Sequence, residues 1–427
     1  MSKESIAIRR LQPGLFIELP LSWSEHPFLM GRFKIKDDEQ INIIRQLGVK
    51  QVWYFPDKSD VEPKPETTQP EDVPAAPSAE EMQTQWDKKK EMTETLRRRR
   101  REIQAVEHQY NDTIGQVKNL MGQMGSAPVQ AMNEATKVVG AIVATLSADK
   151  EVLVQLMNTN NLDDTMYFHV LNVSVLSLLV AKELGMTDKE QLMILGLAAL
   201  LHDIGQVKLP SILLRKATPL SKPEAELFQR HVRYAAEMIT QHAHMKLTVK
   251  PLLLTLIAQH HVFLDGSGYP AEMTPEKMHP LSKILALVNY YDKLCNHNDP
   301  QQSLTPHEAL SLMFSKQASK FDKIALQALV KMLGIYPPGT VVQLSDESYA
   351  IVIYLNRKEL LKPGVLIYAE NIPKADAVII DLSEQTELTI RKSVRPAQLT
   401  KDVYEYLSPR ERISYFFALK KDNPPNG

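Results

Sequence analysis

Five histidines and one aspartate within 93 residues constrain this chain more than any other feature: His169, His202-Asp203, His231 and His260-His261. Ten of the twelve histidines lie between His169 and His307, so the clustering is not a matter of composition. Imidazole and carboxylate are ligands of divalent transition metals. The two adjacent pairs sit about thirty residues either side of His231. A helical hairpin consumes roughly that much chain, so successive helices can aim these side chains at one point.

The surroundings of the pairs sharpen the reading. His202-Asp203 follows the apolar stretch 194–201 and precedes Ile204-Gly205, which places an ionisable pair at the end of a buried helix. An unpaired carboxylate there is costly, and a bound cation removes the penalty. His260-His261 likewise end an apolar stretch, 252–258. The set holds enough ligands for two metals bridged by a carboxylate, with Asp203 the natural bridge. Two metals about 4 Å apart generate hydroxide and clamp a phosphoryl oxygen during in-line displacement. His108, His242, His244, His297 and His307 read instead as core or surface histidines.

Along the chain, residues 1–55 read as a small α+β domain, with strands at 15–19 and 51–55 and a helix at 38–47. Residues 56–79 carry six prolines among Glu, Asp, Thr and Ser, the composition of an unstructured linker. Residues 80–126 read as one long polar helix. Ile103, Val106, Tyr110, Ile114, Val117 and Met121 form a narrow apolar stripe on it, either a dimer seam or the face packed on the next domain. The run Arg97 to Arg101 reads as a solvated face beside Glu91, Glu94 and Glu102. Residues 127–336 read as a helical domain, with helices over 131–146, 152–157, 166–184, 188–202, 223–242, 251–261, 280–294, 306–316 and 322–333. Residues 337–427 read as a β cap and tail, with strands at 340–344, 350–354, 364–368 and 377–381.

A net charge of −1 gives no global reason for nucleic-acid binding. The single cysteine, Cys295, rules out a disulfide within the chain and suits a reducing compartment. The stretch 170–180 is broken by Asn172, Ser174 and Ser177 and reads as a buried helix, not a membrane span. The expected location is cytoplasmic.

At the histidines the sequence resembles the HD-GYP family of HD-domain metal phosphohydrolases, over about residues 165–345. His202-Asp203-Ile204-Gly205 matches the HD motif, and His260-His261 followed by Asp265-Gly266-Ser267-Gly268-Tyr269-Pro270 matches the longer signature. Residues 4–55 resemble the small domain of unknown function that often precedes it. The resemblance implies a mainly α fold: a helical HD-type domain, a small α+β N-terminal domain and a small C-terminal β cap. It implies a bacterial phosphodiesterase that hydrolyses cyclic di-GMP to the linear dinucleotide or to GMP, using two divalent metal ions, iron or manganese. His202 and Asp203 become the catalytic centre, and His169, His202, Asp203, His231, His260, His261 and Asn289 the metal ligands. Asp265, Gly266, Gly268, Tyr269 and Pro270 shape the substrate pocket, with Lys216, Lys283 and Asp292 as further contacts. Asp265 is expected to fix the loop and the nearby histidine tautomers. The implied partners are cyclic di-GMP, a diguanylate cyclase or other signalling protein, and a second copy of the chain.

The chain departs from the family pattern at several positions. Gln206 stands where the family has Lys, Val262 where it has Glu, and Asn289 where it has a ligating Asp. Asn298 and Gln301 replace Arg and Lys, and Thr165 replaces the Glu of trinuclear members, which points to two metals. These losses of charge keep two other readings open. One is a weak or inactive domain that senses the nucleotide or docks a partner. The other is a metal phosphohydrolase acting on a different nucleotide.

Overall fold

The computed structural model describes residues 3–22, 25–28, 30–65, 79–147, 152–157, 165–216, 218–240, 249–270, 273–297, 299, 302–356, 358–370, 372, 374, 377–384, 388–408 and 413–419. The chain divides into two compact units: residues 1–102 with short segments 346–348 and 367–379, and the remainder.

In the first unit, β1 (Glu4–Ala7), β2 (Phe16–Glu18), β3 (Arg32–Lys34) and β4 (Gln51–Tyr54) form an antiparallel sheet in the order β1-β4-β2-β3. The helix α1 (Asp38–Gln46) starts at Asp37, whose side chain accepts from the Gln40 N–H. Its Ile41, Ile43 and Ile44 enter a core with Leu11, Leu15, Ile17 and Leu19. The expected strands and helix are present; β1 and β3 were not expected. Residues 56–65 are not an unstructured linker. Lys64 N–H donates to the Arg10 carbonyl at 3.0 Å and Asp60 N–H to that of Gly14 at 2.9 Å, so backbone pairing compensates for the scarcity of apolar residues. The rest of the expected linker, up to 78, lies outside the described residues.

α2 (Ala79–Gln123) carries the apolar stripe. Val106, Tyr110, Ile114, Val117, Leu120, Met121 and Met124 are buried in the core of the second unit. The stripe is thus consumed by packing within the chain.

The second unit continues with α3 (Pro128–Leu146), β5 (Val152–Leu156), α4 (Thr165–Glu183), α5 (Lys189–Leu201), the short α6 (Ser211–Leu214), α7 (Lys222–Thr240), α8 (Val249–Gln259), α9 (Pro280–Cys295), α10 (Pro306–Ser315) and α11 (Lys323–Leu333). Caps match the sequence signals. Asp188 and Asp322 accept from the first backbone N–H groups of α5 and α11, and Thr305 with Glu308 forms a capping box on α10. α4 lies at the centre, with every residue from 170 to 181 buried. Among the described residues it is the helix long and apolar enough to cross a bilayer, yet 78% of that stretch is buried inside the domain. Two of its three polar interruptions are satisfied: Ser174 Oγ donates to the Gly196 carbonyl at 2.9 Å, and Asn172 joins a network described below, whereas the Ser177 hydroxyl is buried with no hydrogen-bond partner among the described residues.

After the helices come β6 (Val341–Leu344), β7 (Tyr349–Tyr354), β8 (Gly364–Ile367), β9 (Ile379–Asp381), β10 (Ile390–Val394), α12 (Lys401–Leu407) and β11 (Tyr415–Leu419). The sheet order is β10-β6-β7-β5-β11, with β8 beside β7 and β9. One expectation is overturned: residues 152–156 are a strand, not a helix. They pair along their whole length with β11, from Val152↔Leu419 to Leu156↔Tyr415. Four apolar residues in five, two of them valines, suit a strand once a partner is supplied, so the C-terminal sheet draws a strand from the helical region.

Candidate metal centre

α4, α5, α7 and α8 bring the six residues together. His169 projects from α4; His202 caps the end of α5 and Asp203 follows it; His231 lies on α7; His260 and His261 follow α8. His202, Asp203, His231 and His260 are at most 1% exposed. Asp203 is the hub. Its Oδ2 lies 3.4 Å from His169 Nε2 and 3.3 Å from His202 Nε2, and its Oδ1 lies 3.2 Å from His231 Nε2 and 3.7 Å from His260 Nε2.

Tautomers are set from behind. The Nδ1–H groups of His202, His231 and His260 donate to the carbonyls three residues earlier, Ala199, Phe228 and Ile257, at 2.8, 2.7 and 2.5 Å. His169 Nδ1–H donates to Asp292 Oδ2 at 2.5 Å. All four Nε2 lone pairs therefore face inward. Two pairs approach head to head, His169 with His202 at 3.2 Å and His231 with His260 at 3.4 Å. Two lone pairs repel at that distance. Two nitrogens bound to one ion at about 2.0–2.1 Å stand about 3.0–3.4 Å apart, so the spacing suits a cation between each pair. Asp203 Oδ1, His261 Nε2 and Asn289 Oδ1 are buried with no hydrogen-bond partner. The ligand atoms form two groups, His169-His202-Asp203 and Asp203-His231-His260-His261, each within 4.8 Å and sharing Asp203. The residues present fit divalent metal ions.

The electrostatics favour neutral ligands at three histidines; at His169 burial opposes charge but Asp292 and Asp203 outweigh it and raise the pKa. Burial holds His202 and His261 below the usual imidazole range and His260 at about 3, which keeps them neutral as ligands must be. Burial also opposes charge on Asp203, but His202, Lys293 and His169 outweigh it and hold the carboxyl well below its usual value.

The remaining site expectations divide. Lys216 and Tyr269 line a cavity of about 1080 Å³ beside His169, Asp203 and His261. The Tyr269 ring stacks on His261, centroids 4.3 Å apart. Gly266 and Gly268 adopt φ of +77° and +99°, and a Cβ on Gly268 would lie 2.1 Å from the His261 carbonyl oxygen, so glycine is required where the loop folds back over His261. Asp265 does brace this loop, accepting from Ser267 N–H at 2.9 Å and Ser267 Oγ–H at 2.6 Å. The tautomers of His169, His202, His231 and His260 are set not by Asp265 but by Asp292 and the helix carbonyls. Asp265, Gly266, Gly268 and Pro270 are not among the cavity-lining residues. Lys283 is not either; it faces Asp322 at 3.8 Å. Asp292 is 1% exposed and stands behind His169, not toward substrate. Asn172 Nδ2–H donates to it, as does Asn296 Nδ2–H at 3.0 Å. Asn298 and Gln301 lie outside the described residues. Lys293, one position after Asp292, went unnoticed in the sequence because it belongs to no motif. It lines the cavity with its Nζ 3.9 Å from Asp203 Oδ2.

Fold and site together define a helical domain of the HD metal-phosphohydrolase type. The description "domain of unknown function (DUF3391)" matches residues 3–135 and "HD domain" matches 142–324. Cyclic di-GMP phosphodiesterase PA4108 of Pseudomonas aeruginosa is 27% identical over 373 residues, 85% of this chain and 84% of its own length. The cyclic di-GMP phosphodiesterase response regulator RpfG of Xanthomonas campestris is 29% identical over 36% of this chain and 39% of its own. The 3'3'-cGAMP-specific phosphodiesterase 3 of Vibrio cholerae is 27% identical over 40% and 35%. Two regions of the chain thus match known family models, a DUF3391 domain followed by an HD domain, and over 85% of its length the chain is similar to a cyclic di-GMP phosphodiesterase.

Proposed function

We propose that this chain is a metal-dependent phosphodiesterase that hydrolyses cyclic di-GMP. The observation that carries the reading is the pair of inward-facing Nε2 couples around one shared, buried carboxylate, opening on a cavity large enough for a dinucleotide. His169 and His202 would hold one divalent ion and His231, His260, His261 and the Asn289 amide oxygen a second, with Asp203 between them; iron or manganese suits such a nitrogen and oxygen set. When bound, the ions supply Lewis-acid polarisation of a phosphoryl oxygen and a water of lowered pKa.

The protein's own groups do the rest. The Ala199, Phe228 and Ile257 carbonyls and Asp292 orient the imidazoles. Asp203 holds negative charge at the point where the histidines converge. Tyr269 forms part of the cavity wall against His261, and Lys216 stands in the same cavity. Thr165, also on that wall, offers no carboxylate for a third ion.

The test is turnover of cyclic di-GMP by protein reconstituted anaerobically with Fe(II) or Mn(II), with 3'3'-cGAMP in competition and metal counted in the same sample. The expected result is turnover with about two ions per chain, both lost when His202→Ala is combined with Asp203→Ala. Asn289 and Gln206, neutral groups at the centre, favour one second reading, a nucleotide sensor. Metal and cyclic di-GMP bound without turnover would establish it and overturn the enzyme.

A further inference from the structure

The cavity beside the His/Asp centre receives an anion on this reading, and the lysines and arginine that line it are Arg215, Lys216 and Lys293. Gln206, three residues after Asp203 and on the cavity wall, is neutral. Lys216 Nζ holds both carboxylate oxygens of Glu224, at 2.7 and 2.6 Å, which cancels its charge. Arg215 lines the cavity too, but among the described residues it makes no ion pair with Asp203. Lys293 differs. It sits one helical turn beyond Asn289 on α9, directly after the residue that orients His169. Its side chain is 39% exposed and its Nζ lies 3.9 Å from Asp203 Oδ2. A lysine offers three donors on a flexible stem, so it can exchange a long carboxylate contact for a phosphate oxygen.

We propose that Lys293 is the anion-anchoring cation of this site, its ammonium binding a non-bridging oxygen of the phosphodiester presented to the His/Asp centre. The proposal rests on the phosphodiesterase reading above. The rival role is structural: Lys293 would only balance the charge of Asp203.

The experiment compares full-length wild type, Lys293→Met and Lys293→Arg, all loaded with Mn(II) and with metal counted. Cyclic di-GMP turnover and equilibrium binding are both read. Lys293→Met is expected to keep its metal and lose about 10²-fold in kcat/KM, with Lys293→Arg recovering most of the loss. Metal retained with kcat/KM within about twofold of wild type overturns the proposal. Metal lost together with activity also overturns it, because the lysine is then a structural partner of Asp203. If wild type binds cyclic di-GMP without turnover, weaker binding by Lys293→Met supports the anchor and equal binding refutes it. Loaded wild type that neither binds nor turns over cyclic di-GMP rejects the phosphodiesterase reading itself, and the anchor with it.

Discussion

Gly205→Ala adds a single carbon two residues after Asp203, the carboxylate shared by both histidine groups. The 3₁₀ turn Ile204–Lys208 lies so close to α7 that a Cβ on Gly205 would stand 2.0 Å from the His231 carbonyl oxygen and 2.6 Å from the Ala235 nitrogen. Real Cβ contacts essentially never fall below 3.0 Å, so turn and helix must separate by about 1 Å. Both obstacles are backbone, and no side chain can rotate aside. Overpacking costs about 1–3 kcal/mol, and a backbone clash places this variant at about 3. With a slope of about 3 kcal/mol per molar urea, the unfolding midpoint drops by about 1 M. Function suffers separately. His231 Nε2 is 3.2 Å from Asp203 Oδ1, and a site tolerates only about 0.5 Å of displacement. Metal content should therefore fall even where the variant is fully folded. Gly140→Ala is the control. It lies within α3 with nothing within 4 Å of an added Cβ, so it should raise stability by about 0.5–1 kcal/mol. A Gly205→Ala protein with wild-type midpoint and wild-type metal content would refute the reasoning.

Two further outcomes follow from the same geometry. Asp292→Asn removes the charge that orients His169 and should weaken metal affinity by about 10–100-fold with little loss of fold; unchanged affinity in a chelator competition would show that His169 needs no such partner. The metal-free protein should lose stability as pH falls from 7 to 5. Burial depresses His202, His260 and His261, so the unfolded chain takes up protons below about 6.5 that the folded chain refuses, at about 1.4 kcal/mol per pH unit per group. His169 works the other way. Burial opposes its charge, but Asp292 and Asp203 outweigh that and raise its pKa, so it adds stability at low pH and offsets one of the three. Urea midpoints that stay flat between pH 7 and 5 would contradict this account.

The centre was legible in the sequence because its ligands come in a fixed order on successive helices, and a 29-residue spacing survives any detail of loop geometry. The roles of its neighbours were not. Asp292 looked like a substrate contact and proves to face inward, because helix phase decides which of 289, 292 and 293 meets the cavity. Asn172 looked like an interruption in an apolar helix; its side chain donates to Asp292 and accepts from the Tyr415 N–H at 2.8 Å. Residues 152–156 carried no sign of their partner, which lies some 260 positions further on. Such pairings leave no local pattern to read.

That distant pairing has a consequence for how the protein comes into being. The Ile413 N–H and carbonyl both bond Asn296 at 2.8 Å, and Tyr415 bonds Asn172; both asparagines hold Asp292, which holds His169. A chain emerging from the ribosome N-terminus first can assemble its helices early. It cannot lock the first histidine until residues 413–415 have been made. Maturation of the centre is thus tied to synthesis of β11, and a chain cut short after α12 would carry the full histidine set without the brace that orients its first member.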